Sequence, residues 1–190
     1  LTTNNEALEI FYKGKYLHDT MSSKDILEKA KSNLESSIKI DKKFVEAYSE
    51  LALICQRLGY FDDSESFLNI GEKNALKKND QQGLASIYNV FNLIFSERGQ
   101  YNKALNYIKK ALKIQISLNN NSKEAKFRLN YANLLNHTKK PALSIEQNEK
   151  AISIIEDLED ENLLGVAHTV LSNTYYELGD FTKSIENGKR

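Results

Sequence analysis

Shifted against itself by 40 residues, the sequence falls back into register. The segment RLGYFDDSESFL at 57–68 aligns with ERGQYNKALNYI at 97–108, then with HTKKPALSIEQN at 137–148, then with ELGDFTKSIENG at 177–188. A fixed period of this size marks stacked repeats, because one short unit cannot bury its apolar face alone and must lean on the next.

The aligned columns have a helical meaning. Tyr48, Leu51 and Cys55 match Tyr88, Phe91 and Phe95, then Arg128, Tyr131 and Leu135, then His168, Leu171 and Tyr175. Spacings of three and four put each set on one face of a helix. Gly59, Gly99 and Gly179 follow, where a helix can end in a left-handed residue at little cost. Phe61, Tyr101, Pro141 and Phe181 come two residues later, opening a second amphipathic helix whose inward positions are clearest at Ala104, Ile108 and Ala111. Ala52, Ala132 and Ser172 form a small-residue column that lets paired helices approach. Asn92 interrupts it, so the third hairpin is expected to pack more loosely or to hydrogen-bond across the gap.

The chain holds one proline and eight glycines in 190 residues. That scarcity agrees with long helices, which these residues interrupt most strongly. Polar stretches around 79–83, 119–122 and 159–163 read as links between hairpins. The first copy is shorter: Ala30, Leu34 and Ser37 hold second-helix core places, and counting back puts its core start near Phe11.

These residues resemble the tetratricopeptide repeat, whose pattern is aromatic-x-x-Leu-small-x-x-Tyr, then Leu-Gly-Asp-Tyr, then Ala-x-x-x-Tyr-x-x-Ala. HTVLSNTYYELGDFTKS at 168–184 follows it almost completely, and ERGQYNKALNYIKKALKI at 97–114 follows its second half. The resemblance implies an all-α fold, a right-handed superhelix of about five helical hairpins. The repeats are expected at about 5–44, 45–84, 85–124, 125–164 and 165–190, the last truncated, as a single array over 1–190. Forty residues per unit imply helices about one turn longer than usual, or a longer connection. EALEIFYKGKYL and SIKIDKKFVEAYSELA further resemble repeat regions attached to bacterial adenylate cyclases, sensor histidine kinases and transcription regulators.

Little in the sequence points to catalysis. His18, His137 and His168 are far apart, and His168 occupies a core column. Cys55 sits among apolar residues and reads as a small buried hydrophobe. No HExxH, glycine-rich phosphate loop or paired-cysteine spacing occurs. The expectation is a non-enzyme with no cofactor and no metal. Basic and acidic residues balance at 26 each, so no overall field attracts nucleic acid. Glu156, Asp157, Glu159, Asp160 and Glu161 cluster at one link, and Lys103, Lys109, Lys110 and Lys113 line one second helix. Both runs read as solvated surface. No apolar run approaches the roughly 20 residues of a membrane helix. A cytoplasmic location is expected, with a periplasmic sensor segment as the alternative.

The resemblance implies that first helices line a concave groove. Asn89, Asn130, Asn133, Asn136 and Asn173 all fall on first helices, with Leu93, Lys126 and Tyr176 as neighbours. A carboxamide offers a donor and an acceptor, matching the polar groups of an extended peptide backbone. Asparagine is abundant throughout, including Asn119, Asn120 and Asn121, so composition alone is the competing explanation. The Lys/Asn/Arg set of the family's two-carboxylate clamp is not found. The expected partner is a protein or extended peptide, neither nucleic acid nor a membrane interior. The alternative is a sensory segment of a larger signalling protein. The sequence opens on Leu1 and stops at Arg190 within a second helix; a fragment, or an end covered by another chain through self-association, is expected.

Overall fold

The helix starts carry the repeat further than the sequence period does. The computed structural model describes residues 2–20 and 23–190, and among these every regular element is an α-helix. In chain order they are α1 (Asn5–Thr20), α2 (Lys24–Ile40), α3 (Val45–Leu58), α4 (Phe61–Lys78), α5 (Gln81–Glu97), α6 (Tyr101–Ser117), α7 (Asn121–His137), α8 (Pro141–Leu158), α9 (Glu161–Glu177) and α10 (Phe181–Gly188). From α4 onward each begins 20 residues after the last.

Forty residues therefore means two helices of 17 or 18 residues joined by turns of two or three. The extra length lies in the helices and not in the connections. Much of the polar sequence expected to link hairpins is the first turn of the following helix. The repeat boundaries placed at 85, 125 and 165 likewise fall four residues inside α5, α7 and α9. The register slips only at the start: α2 ends at Ile40, residues 41–44 form a turn, and α3 has 14 residues. Phe11, the expected core start, lies well inside α1 and is buried.

Backbone geometry enforces the step. Residues 59, 79, 99, 119, 139, 159 and 179 all have positive φ, between 51° and 83°. At each joint the residue after this left-handed position returns its N–H to a carbonyl five residues back. Tyr60 bonds Cys55 O, Gln100 bonds Phe95 O, Lys140 bonds Leu135 O and Asp180 bonds Tyr175 O, at 2.8–3.0 Å. These bonds satisfy carbonyls that the ending helix leaves open. Where a first helix follows, the next residue caps it: Asp80 accepts from Gly83 N, Asn120 from Lys123 N and Asp160 from Leu163 N. A left-handed residue followed by Asp or Asn thus stops one helix and starts another within two residues.

The chain forms two compact units, residues up to Ile94 and residues from Phe95 on, with the boundary inside α5. In the first, α1 packs on α2, α2 on α3 and α3 on α4. Its core gathers Ala7, Phe11, Leu27, Ala30, Leu34, Phe44, Leu51 and Ile54, and the rings of Phe11 and Phe44 lie 4.8 Å apart. In the second, α6 packs on α7, α7 on α8, α8 on α9 and α9 on α10, around Ala125, Leu129, Ala151, Ile155 and Ala167.

The small-residue column does more than make room. Ser64 Oγ donates to Ala52 O at 2.7 Å, Ser144 Oγ to Ala132 O at 2.8 Å, and Ser172 Oγ to Ser184 O at 2.8 Å. Each buried hydroxyl ties one helix of a hairpin to the backbone of the other, which is how a core serine escapes its desolvation cost. Asn92 is buried as well, and its carboxamide oxygen has no partner.

The two joints occupied by Lys139 (φ 55°) and Glu159 (φ 54°) hold side chains in a conformation that favours glycine. Lys139→Gly and Glu159→Gly should each stabilise the protein by about 0.5–1 kcal/mol. Urea unfolding would show this as a higher midpoint at unchanged slope. Asn119→Gly should change little, since asparagine tolerates this region.

Candidate functional site

Once the apolar faces are packed, each first helix keeps one polar stripe. On α7 it runs through Lys126, Asn130, Asn133 and His137, at helical spacings of four, three and four. Lys126, Asn133 and His137 are exposed and Asn130 is half-buried. On α9 it runs through Val166, Thr169, Asn173 and Tyr176, all exposed, with 66% of Tyr176 open to solvent. Helices α7 and α9 touch, and Asn133 and Asn173 hold the same register position one period apart. Of the expected site residues, Lys126, Asn130, Asn133, Asn173 and Tyr176 therefore share one face of the second unit. Asn89 and Leu93 lie half-buried on α5 in the first unit.

Asn136 departs from the expectation. It is only 5% exposed, and its Nδ2 donates to Thr174 Oγ1 at 2.8 Å. Three residues past Asn133, a side chain turns about 60° off the exposed stripe, here toward α9; His137, four residues on, stays on it. Thr174 passes its own proton to Val170 O at 2.8 Å, and Ser144 Oγ lies 3.3 Å away. The result is a buried polar seam that joins α7, α8 and α9. Asn148 adds to it, donating from α8 to Ala167 O at 3.0 Å. Asn136 is thus a tie between hairpins and does not face the stripe.

One constellation escaped the sequence reading. In the first unit, Glu50 on α3 receives Lys15 Nζ at 3.0 Å and His18 Nδ1 at 3.3 Å, both from α1. Lys15 also reaches Asp19, and Arg57 donates to the His18 carbonyl. The Glu50 side chain is 17% exposed. Burial works to raise its pKa, but hydrogen bonds and charge from His18 and Lys15 outweigh burial and hold the carboxyl below its usual value. Lys15 shows the reciprocal effect, desolvation opposed and overcome by Glu50, with a net rise. Glu50 was readable as a charge on the mostly apolar α3, but its partners sit 32 and 35 residues away in the least regular repeat.

The remaining reactive groups are placed for packing. His168 is buried, its Nδ1 3.1 Å from Asn187 Oδ1. His137 stacks flat on Tyr101, ring centroids 5.2 Å apart. Cys55 is fully buried, and desolvation pushes its thiol up to about 12, too high for a nucleophile at neutral pH. Among the described residues no three His, Cys, Asp or Glu side chains gather as metal ligands, and no helix is long and apolar enough to cross a membrane.

Two substitutions test this geometry. Thr174→Val keeps the shape but strips the Asn136 carboxamide of its acceptor, while its oxygen already has no partner. A loss of about 1–3 kcal/mol in unfolding free energy should follow. Glu50→Gln should cost about 1–2 kcal/mol near neutral pH. A carboxyl whose folded pKa is depressed stabilises above its unfolded pKa and loses that contribution as pH falls through the folded value. The gap between Glu50→Gln and the parent should therefore close below about pH 4.

Comparison with known proteins agrees with this architecture. Residues 85–115 match the tetratricopeptide repeat family, whereas no curated protein matches the chain. Among solved structures, BtubC from P. vanneervenii superposes with a TM-score of 0.76 at 17% identity, covering 98% of this chain and 88% of its own. A signal transduction ATPase with numerous domains and a tetratricopeptide repeat sensor, from Pyrococcus horikoshii, gives 0.85 at 20% identity, over 97% of this chain and 28% of that one. Aspartyl phosphate phosphatase F from Bacillus subtilis gives 0.76 at 18%, over 96% and 48%. Likeness at such identities speaks for the fold, and together with the matched repeat it makes the chain a tetratricopeptide repeat protein.

Proposed function

We propose that the protein is a non-catalytic scaffold that holds a protein partner, as an extended peptide, against the first helices α7 and α9. Tetratricopeptide repeat arrays are typically protein-binding and non-catalytic. The observation that carries the reading for this chain is the pair Asn133 and Asn173, exposed at equivalent positions of touching helices. Two carboxamides one period apart can each meet a main-chain N–H and C=O of an extended strand. Lys126 supplies a cation at one end of the stripe, and Tyr176 supplies a broad exposed ring at the other. Asn130 lies between them. Asn89 and Leu93 are the corresponding candidates of the first unit. A reducing, cytoplasmic setting suits the buried thiol of Cys55.

A second reading has one observation behind it. The Pyrococcus horikoshii protein uses such repeats as a sensor within a larger ATPase, and this chain matches 28% of it. In a sensory segment, occupation of the same stripe would shift an attached output domain between states.

The test is retention of partners from the source cell by the parent and by Asn133→Ala/Asn173→Ala. At equal helicity, the double variant should lose the captured peptide-like partner by tenfold or more. Undiminished capture would refute the groove reading. An output domain on the native polypeptide, whose activity responds to the captured partner, would select the sensory one.

A further inference from the structure

The neutral total conceals a steep internal division. Residues 101–140 carry eight lysines and one arginine against a single carboxylate, Glu124, a net charge of +8. Residues 141–190 carry ten carboxylates against four cations, a net charge of −6. Both segments belong to the second unit.

The positive excess is concentrated on α6. Elsewhere lysines meet a carboxylate one turn away: Lys13 with Glu9, Lys31 with Glu35 and Lys150 with Glu146. Helix α6 contains no Asp or Glu, and its Lys103, Lys109, Lys110 and Lys113 are all exposed. Aromatic rings lie beneath them instead: Phe95 5.1 Å from Lys103, Tyr131 5.8 Å from Lys109 and Tyr107 5.2 Å from Lys110. A ring face holds an ammonium in place but leaves its charge uncancelled. At the end of the same helix, Ile116 and Leu118 are exposed.

The counterpart is the corner between α8 and α9. Glu156, Asp157, Glu159 and Glu161 are exposed there around an exposed Leu158. A hollow of about 450 Å³ at this corner is lined by Ile155 and Leu164 together with the carboxylates. Apolar walls with acidic edges fit a lysine, stem against the aliphatic groups and ammonium at the carboxylates.

We propose that the exposed face of α6 on one copy docks onto the α8–α9 corner of a second copy. Each surface offers aliphatic side chains beside charges of a single sign, and the signs are opposite, the combination that fixes register and steers encounter. The contact is heterologous, so each copy keeps a free patch of both kinds and assembly grows with concentration. Nucleic acid suits α6 less well, because the rings there already lie under lysines and no overall field gathers polyanions.

Sedimentation of the intact chain tests this. Weight-average mass should at least double with concentration in about 0.05 M salt and return to the monomer value near 1 M, where screening acts within about 3 Å. Lys103→Glu/Lys109→Glu/Lys113→Glu should be monomeric in low salt, and so should Glu156→Lys/Asp157→Lys/Glu161→Lys, which spares the helix cap Asp160. Because each variant retains one native patch, mixing the two should restore association. Unchanged helicity by circular dichroism would separate loss of contact from loss of fold. The proposal fails if the parent stays monomeric at millimolar concentration, if either triple variant associates like the parent, or if the mixture remains monomeric. It fails also if a monomeric parent instead retains a single-stranded oligonucleotide or anionic vesicles through the α6 lysines.

Discussion

Everything in this chain depends on a helix being stopped every 20 residues. A helix that ran on would carry its apolar face away from its neighbour, since 17 residues already make nearly five turns. The left-handed residue and the N–H that follows it end each helix at the same point of its cycle. Apolar columns then recur on the side where the next helix waits. Stability rests on contacts between neighbours, so the stop determines which contacts exist at all.

The stops were partly legible. Gly59, Gly99 and Gly179 announce three of them, because glycine in an otherwise glycine-poor chain signals a special φ. Asn79, Asn119, Lys139 and Glu159 do the same work without such a signal, and lysine or glutamate at such a place reads as ordinary surface. That is why the links were drawn too long and the first helices begun a turn late. The caps Asp80, Asn120 and Asp160 were visible as residues, but their role depends on the stop immediately before each of them.

Core columns were legible because burial follows period. Ala104, Ile108 and Ala111 are fully buried, and His168 packs as its column requires. Polar side chains were harder, since helical phase alone separates Asn133 from Asn136. One stays in water and the other closes a bond to Thr174, a difference of a single turn-fraction that spacing cannot resolve when both sides of a helix carry asparagine. The Glu50 cluster was hidden for another reason: it joins the two first helices whose register is least regular. Net charge misled most, because a total of zero said nothing about α6 and the corner beyond α8.

The two-residue joint has a consequence for how such a protein can change in length. Since 79–80, 119–120 and 159–160 each combine a stop with a cap, a segment such as 81–120 or 121–160 begins and ends on interchangeable seams. Recombination at these seams would add or remove a whole hairpin while leaving every backbone terminus satisfied. Loss of one residue inside a helix would swing all the side chains up to the next stop by about 100°. The chain is therefore tolerant of change in whole modules and intolerant of it in single steps.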